Sequence, residues 1–129
     1  MGGEGQIVRR SIGIVFDDGG LLALSAVRPE RAEGHGDETV AAVLCSADGA
    51  PVDVSEALLS TEYGPDGVQR RATLELWVDD EGQPLRGAGT LISADSVRHP
   101  GLHADIAFFR WSLEGREGLG HYEVVRRDG

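Results

Sequence analysis

The chain contains no lysine, no asparagine and only one cysteine, Cys45. A lone cysteine closes no internal disulfide and has no thiolate partner for a zinc knuckle, so the fold must be held by its core. Flanked by Val43 and Leu44, Cys45 reads as a small buried hydrophobe. Without lysine there is no phosphate-binding loop of the Walker type, and no G-x-S-x-G nucleophile elbow occurs either. Positive charge is scarce, since 12 basic residues, all arginine, face 22 acidic ones for a formal net charge of −10. Nucleic acids and anionic membranes bind proteins through a basic footprint that releases counterions, which this composition does not supply. Long apolar runs are missing too. No uncharged stretch exceeds the length of Gly19 to Val27, far too short for about 30 Å of hydrocarbon. Met1-Gly2-Gly3-Glu4-Gly5 lacks the basic and apolar regions of a secretion signal. The expectation is a cytoplasmic protein with neither membrane nor nucleic acid as partner.

What is present suits one β domain spanning residues 1–129. The 129 residues are 40% hydrophobic and include 19 glycines, about twice the usual share, scattered as turn and strand glycines are. Four segments, Asp17-Asp18-Gly19-Gly20, Asp48-Gly49, Asp79-Asp80-Glu81-Gly82 and Glu114-Gly115, pair an acid with a glycine between apolar runs. That pairing is the strongest local signal for a hairpin. Four hairpins imply eight strands at roughly 6–16, 20–30, 38–46, 50–60, 68–78, 83–93, 103–113 and 116–126. Within 55–59 a helical turn is as compatible as a strand. The expected fold is an all-β, eight-stranded antiparallel up-and-down barrel, closed or flattened. Tight acidic turns ring one end, and longer loops carrying His35, Tyr63 and His99 frame the other, with His103 just inside the seventh strand.

The last hairpin can be read residue by residue. If Glu114-Gly115 is a two-residue turn, Leu113 faces Arg116, Trp111 faces Gly118, Phe109 faces Gly120 and Ala107 faces Tyr122. Large rings then lie over cross-strand glycines, shielding backbone that would otherwise weaken the sheet. The stretch from Phe109 to Glu123 resembles the C-terminal hairpin of bacterial tandem lipocalin-like (calycin) proteins related to carotenoid hydratases. That resemblance implies a lipocalin-like barrel holding a small, largely apolar molecule, and a role in natural-product biosynthesis. Those relatives carry two β domains where this chain has length for one, so a homodimer is expected to supply the second.

The candidate chemistry is modest. Arg110, His121 and Glu123 share one face of the hairpin with Ile106 and Phe108. Inside an apolar cavity, His121 and Glu123 would serve as an acid–base pair with Arg110 as electrostatic stabiliser, as in a cofactor-independent cyclase, isomerase or hydratase. On an outer face the same residues are solvated surface pairs worth little. Trp111, Tyr122, His103 and Tyr63, with Phe108 and Ile106, are the candidate ligand contacts. No metal is expected, because His99 precedes a Pro-Gly turn and is poorly placed to join His103 and Asp105. No cofactor is expected. The competing reading is a non-catalytic interaction module whose second apolar face docks a partner protein or a second copy.

Overall fold

The computed structural model describes residues 6–29, 38–78 and 82–128. Nine strands and no helix occupy them: β1 (Gln6–Phe16), β2 (Leu21–Pro29), β3 (Thr39–Cys45), β4 (Pro51–Asp53), β5 (Glu56–Tyr63), β6 (Gln69–Trp77), β7 (Leu85–His99), β8 (Leu102–Leu113) and β9 (Arg116–Asp128). They form a single antiparallel sheet in the order β4-β3-β2-β1-β9-β8-β7-β6-β5, curled into an open half-barrel. The junction that an up-and-down barrel needs between its first and last strands is made, since β1 pairs with β9 from Gln6↔Asp128 to Phe16↔Gly118. The seam opens instead in the middle of the chain, between β4 and β5.

Two expectations are corrected here. The strand expected at 50–60 is divided, because β4 pairs only with Val43–Cys45 of β3 whereas β5 pairs with β6 at the far edge. The divide lies at Val54-Ser55, where the Ser55 backbone N–H and its Oγ both donate to the carbonyl of Trp77. Those two bonds draw the chain from one sheet edge to the other. The count is therefore nine strands, and the barrel is open. Residues 55–59 form no helical turn. In β5, Ala57 and Leu59 point inward while Leu58 and Ser60 point out, the period of two that a strand requires.

The longer loop expected to carry His99 is also absent. β7 and β8 run on to His99↔Leu102 and meet at Pro100-Gly101, with Gly101 at φ 79°. At 61–67, β5 continues to Tyr63 and a turn closes through the Gly67 N–H to the Gly64 carbonyl. The loop bearing His35, and the acids Asp79, Asp80 and Glu81, lie outside the described residues. The last hairpin matches the expected register throughout, with Leu113↔Arg116, Trp111↔Gly118, Phe109↔Gly120 and Ala107↔Tyr122. Glu114 and Gly115 both take positive φ, 48° and 83°, as a two-residue turn matching the strand twist demands.

The concave face is the core. Ile12, Ile14 and Phe16 of β1, Leu22 and Leu24 of β2, Leu74 and Leu76 of β6, and Phe109, Trp111 and Leu113 of β8 are all buried there. Removing each large apolar side chain from water contributes on the order of 1.5–3 kcal/mol. Phe109 stacks on Trp111 with centroids 5.1 Å apart and meets the edge of Tyr122 at 5.7 Å. At the closed end, Arg116 lies 4.3 Å over the Phe16 ring and pairs with Asp18. The core thus fills the end ringed by tight turns. The other end of the concave face is polar.

Candidate functional site

Antiparallel registers fix which side chains form rows across the concave face. At the open end, one row runs Arg28↔Val8↔Arg126↔His103↔Arg98 across β2, β1, β9, β8 and β7. The next row inward is Ala26↔Arg10↔Val124↔Asp105↔Ser96. The third contains Leu24, Ile12, Tyr122 and Ala107 and already belongs to the core. Within two strand steps the face passes from cationic to apolar.

Asp105 anchors the second row and is only 2% exposed. One of its oxygens accepts from Ser96 Oγ at 2.6 Å and lies 3.1 Å from His103 Nε2, and the other is 3.5 Å from Arg126 Nη1. A buried carboxylate is retained only when paired and hydrogen-bonded, and Asp105 satisfies both conditions. His103 and Asp105 are two apart on one strand, so they share a face. Arg10 makes a bidentate pair with Glu38, at 2.7 Å and 3.2 Å, and its Nη1 reaches the Leu59 carbonyl at 3.4 Å. It therefore ties β1 to Glu38, the residue before β3, and to β5 across the seam. Gln69, fully buried, donates to the carbonyls of Asp105 and Tyr122, while its Oε1 has no partner.

Tyr122 links this layer to the core through a hydrogen bond to Thr61. Burial pushes its phenol up to about 12, against the opposing pull of the Thr61 bond and of Arg10. The folded chain therefore keeps a proton that an unfolded tyrosine begins to lose near pH 10. Stability is expected to be indifferent to this group below pH 10 and to fall as pH rises from 10 to about 12, by at most about 1.4 kcal/mol per pH unit. Urea unfolding of the native chain and of Tyr122→Phe at pH 9 and 11.5 checks this. At pH 9 the variant should be less stable by about 1 kcal/mol from the missing hydrogen bond, and because phenylalanine does not titrate its decline to pH 11.5 should be shallower, so that the deficit narrows or reverses there.

Between β3 and β5 the unpaired seam widens into a cleft of about 700 Å³. Val8, Val40, Ala57 and Leu59 supply apolar wall, and Arg10, Arg28, Arg126, Glu38, Thr61 and Tyr63 supply polar groups. Of the residues expected from sequence to touch a ligand, Tyr63 lines this cleft, and His103 stands beside it through Asp105 and Arg126. Trp111 and Tyr122 are core residues below it. Ile106, Phe108, Arg110, His121 and Glu123 share the opposite, convex face. His121 Nε2 and Glu123 Oε2 are 3.9 Å apart with side chains 46% and 38% exposed, and the His121 ring lies over Gly13. The expected acid–base pair thus exists as a pair, facing solvent and not a cavity. Around it Val15, Phe108, Leu119 and Ile92 leave an exposed apolar strip.

Sequence reading missed Arg10, Arg28, Arg126, Glu38 and Thr61. A signal was available in the doublets Arg9-Arg10 and Arg126-Arg127, where strand alternation sends Arg10 and Arg126 inward. Among the described residues no three His, Cys, Asp or Glu side chains gather to hold a metal ion, and no helix is long and apolar enough to cross a membrane. No family model, curated protein or solved structure matches the chain.

Proposed function

We propose that the half-barrel binds a small, largely apolar molecule in the cleft between β3 and β5. The cleft itself carries this reading. Its volume of about 700 Å³ lies within the roughly 300–1,000 Å³ of small-molecule sites, and apolar side chains share its lining with polar and charged ones. The unpaired seam gives a ligand a way in without breaking a strand ladder. Val8, Val40, Ala57 and Leu59 offer surface to an apolar body, and the Tyr63 phenol and Thr61 hydroxyl offer polar contacts. The calycin-like final hairpin, Phe109 to Glu123, supports the same reading. A cyclase or hydratase role would use His121, Glu123 and Arg110, which lie outside the cleft, so binding is what we propose.

N-phenyl-1-naphthylamine, an uncharged apolar fluorophore, is the test ligand. Native mass spectrometry should show one probe per chain, and Val40→Trp, which fills the cleft, should weaken binding by about ten-fold or more. No binding, or binding indifferent to Val40→Trp, would defeat the proposal. The convex apolar strip supports a second reading, in which a second copy of the chain docks there. The same spectra read it, since a mass of one chain at micromolar concentration removes it.

A further inference from the structure

We infer that the cleft's ligand is an amphipathic organic acid, whose single anionic head is held between Arg28 and Arg126 above Val8. This rests on the cleft being the binding site and goes further in naming the class of molecule. The first observation is where the positive charge lies. In a chain of net charge −10, three arginines and a histidine occupy one cross-strand row at the open end of the concave face. Within it Arg126, His103 and Arg98 are direct cross-strand neighbours. His103 and Arg126 serve the fold by meeting the buried carboxylate of Asp105, a role that Arg28, across Val8 from Arg126, does not share.

The second observation is which of these charges are already matched. Arg10, one row deeper, is consumed by its two-pronged pairing with Glu38. Asp105 gives one oxygen to Ser96 and His103 and only a 3.5 Å contact to Arg126. Arg28 lines the cleft and makes no hydrogen bond or ion pair among the described residues. The unmatched charge at the cleft mouth amounts to Arg28 and part of Arg126, which suits a monoanion.

Position supplies the third. Arg28 and Arg126 both stand opposite Val8 on its two neighbouring strands, so their Cα atoms are about 9.5 Å apart, two strand spacings. From that separation both long side chains can converge on one planar head, and the guanidinium fork matches a carboxylate or sulfonate. The remaining lining carboxylate, Glu56, starts β5 at the far end of the cleft, about 16 Å of strand away from Thr61. It repels an anion from that end and orients the ligand with its head toward Arg28. The apolar body then lies along Val8, Val40 and Leu59.

A matched pair of probes tests this. 8-Anilinonaphthalene-1-sulfonate has the ring system of N-phenyl-1-naphthylamine plus one sulfonate. The native chain should bind the sulfonate at least about ten-fold more tightly than the neutral probe, the scale of one charge-assisted hydrogen bond. Arg28→Gln should remove most of that preference, and Arg28→Gln with Arg126→Gln all of it, leaving the neutral probe within about two-fold of native. Leu119→Ser on the convex face should change neither affinity. Decanoate should displace the sulfonate at a concentration at least about ten-fold lower than decanol requires. Equal affinities in the native chain, or a preference that survives Arg28→Gln undiminished, would overturn the inference while leaving the cleft as a neutral site. Failure of both probes to bind would overturn the cleft reading and this inference together. Because Arg28 is unpaired among the described residues, Arg28→Gln decides the matter even where the double variant does not fold.

Discussion

Adding one methyl group at Gly120 is expected to unfold the chain or to lower its stability by about 3 kcal/mol or more, the upper end of core overpacking. A Cβ there would stand 1.8 Å from the carbonyl oxygen of Gly13 and 2.7 Å from the Cα of Ile14. Both neighbours are backbone of β1, which β9 pairs along its whole length, so no rotamer change relieves the clash. The two strands would have to separate where the sheet curls. Gly49 is the control. It sits at φ 86° in the turn between β3 and β4 with nothing within 4 Å of where a Cβ would stand, so Gly49→Ala costs only the conformational strain of about 1–2 kcal/mol. Urea midpoints of the two variants, compared at equal slope, separate steric from conformational cost. A Gly120→Ala loss no larger than that of Gly49→Ala would mean that β1 and β9 do not approach so closely.

Glycine at 120 was legible from sequence for a different reason than the one that governs it. Placing Phe109 opposite Gly120 required only the turn at Glu114-Gly115 and a count outward, and the register agrees. The collision with Gly13 depends on β1 lying on the other side of β9, a contact between chain ends that no local pattern encodes. The same limit hid the arginine row. Arg28, Arg126 and Arg98 come from β2, β9 and β7 and become neighbours only once β1 and β8 are placed between them. Strand identity was readable because alternation and acid-glycine turns are local. The seam was not, because Pro51–Asp53 and Glu56–Tyr63 both read as strand, and the exchange of edges rests on two bonds from Ser55 to the distant Trp77. Nor could local pattern decide which face of the last hairpin is inward. Both of its faces carry rings, and only the burial of Phe109 and Trp111 in the core separates them from Phe108, which stays 42% exposed.

Truncating Trp111 to alanine is the second large effect, expected to cost about 3–5 kcal/mol. The ring is 1% exposed, stacks on Phe109, and sends its Nε1–H to the Gly120 carbonyl at 3.4 Å. Beneath it is Gly89, the cross-strand neighbour on β7, where a Cβ would meet Trp111 Cε3 at 2.5 Å. That contact makes the cost divisible. In the native background Gly89→Ala must displace the indole or its neighbour Phe109, whose Cδ2 lies 2.8 Å from the same point, at about 1–3 kcal/mol. With alanine at 111 most of that obstacle is gone, and the added methyl instead takes up part of the space left by the indole. The two substitutions should therefore be less damaging together than the sum of their separate effects, with a coupling of about 1–2 kcal/mol measured by chemical denaturation of all four chains. Strict additivity would mean that Trp111 and Gly89 do not share that space. Because this cluster lies at the closed end, two rows and more below Arg28 and Arg126, Trp111→Ala should leave the sulfonate preference of the molecules that remain folded unchanged, which separates the stability of the half-barrel from recognition at its mouth.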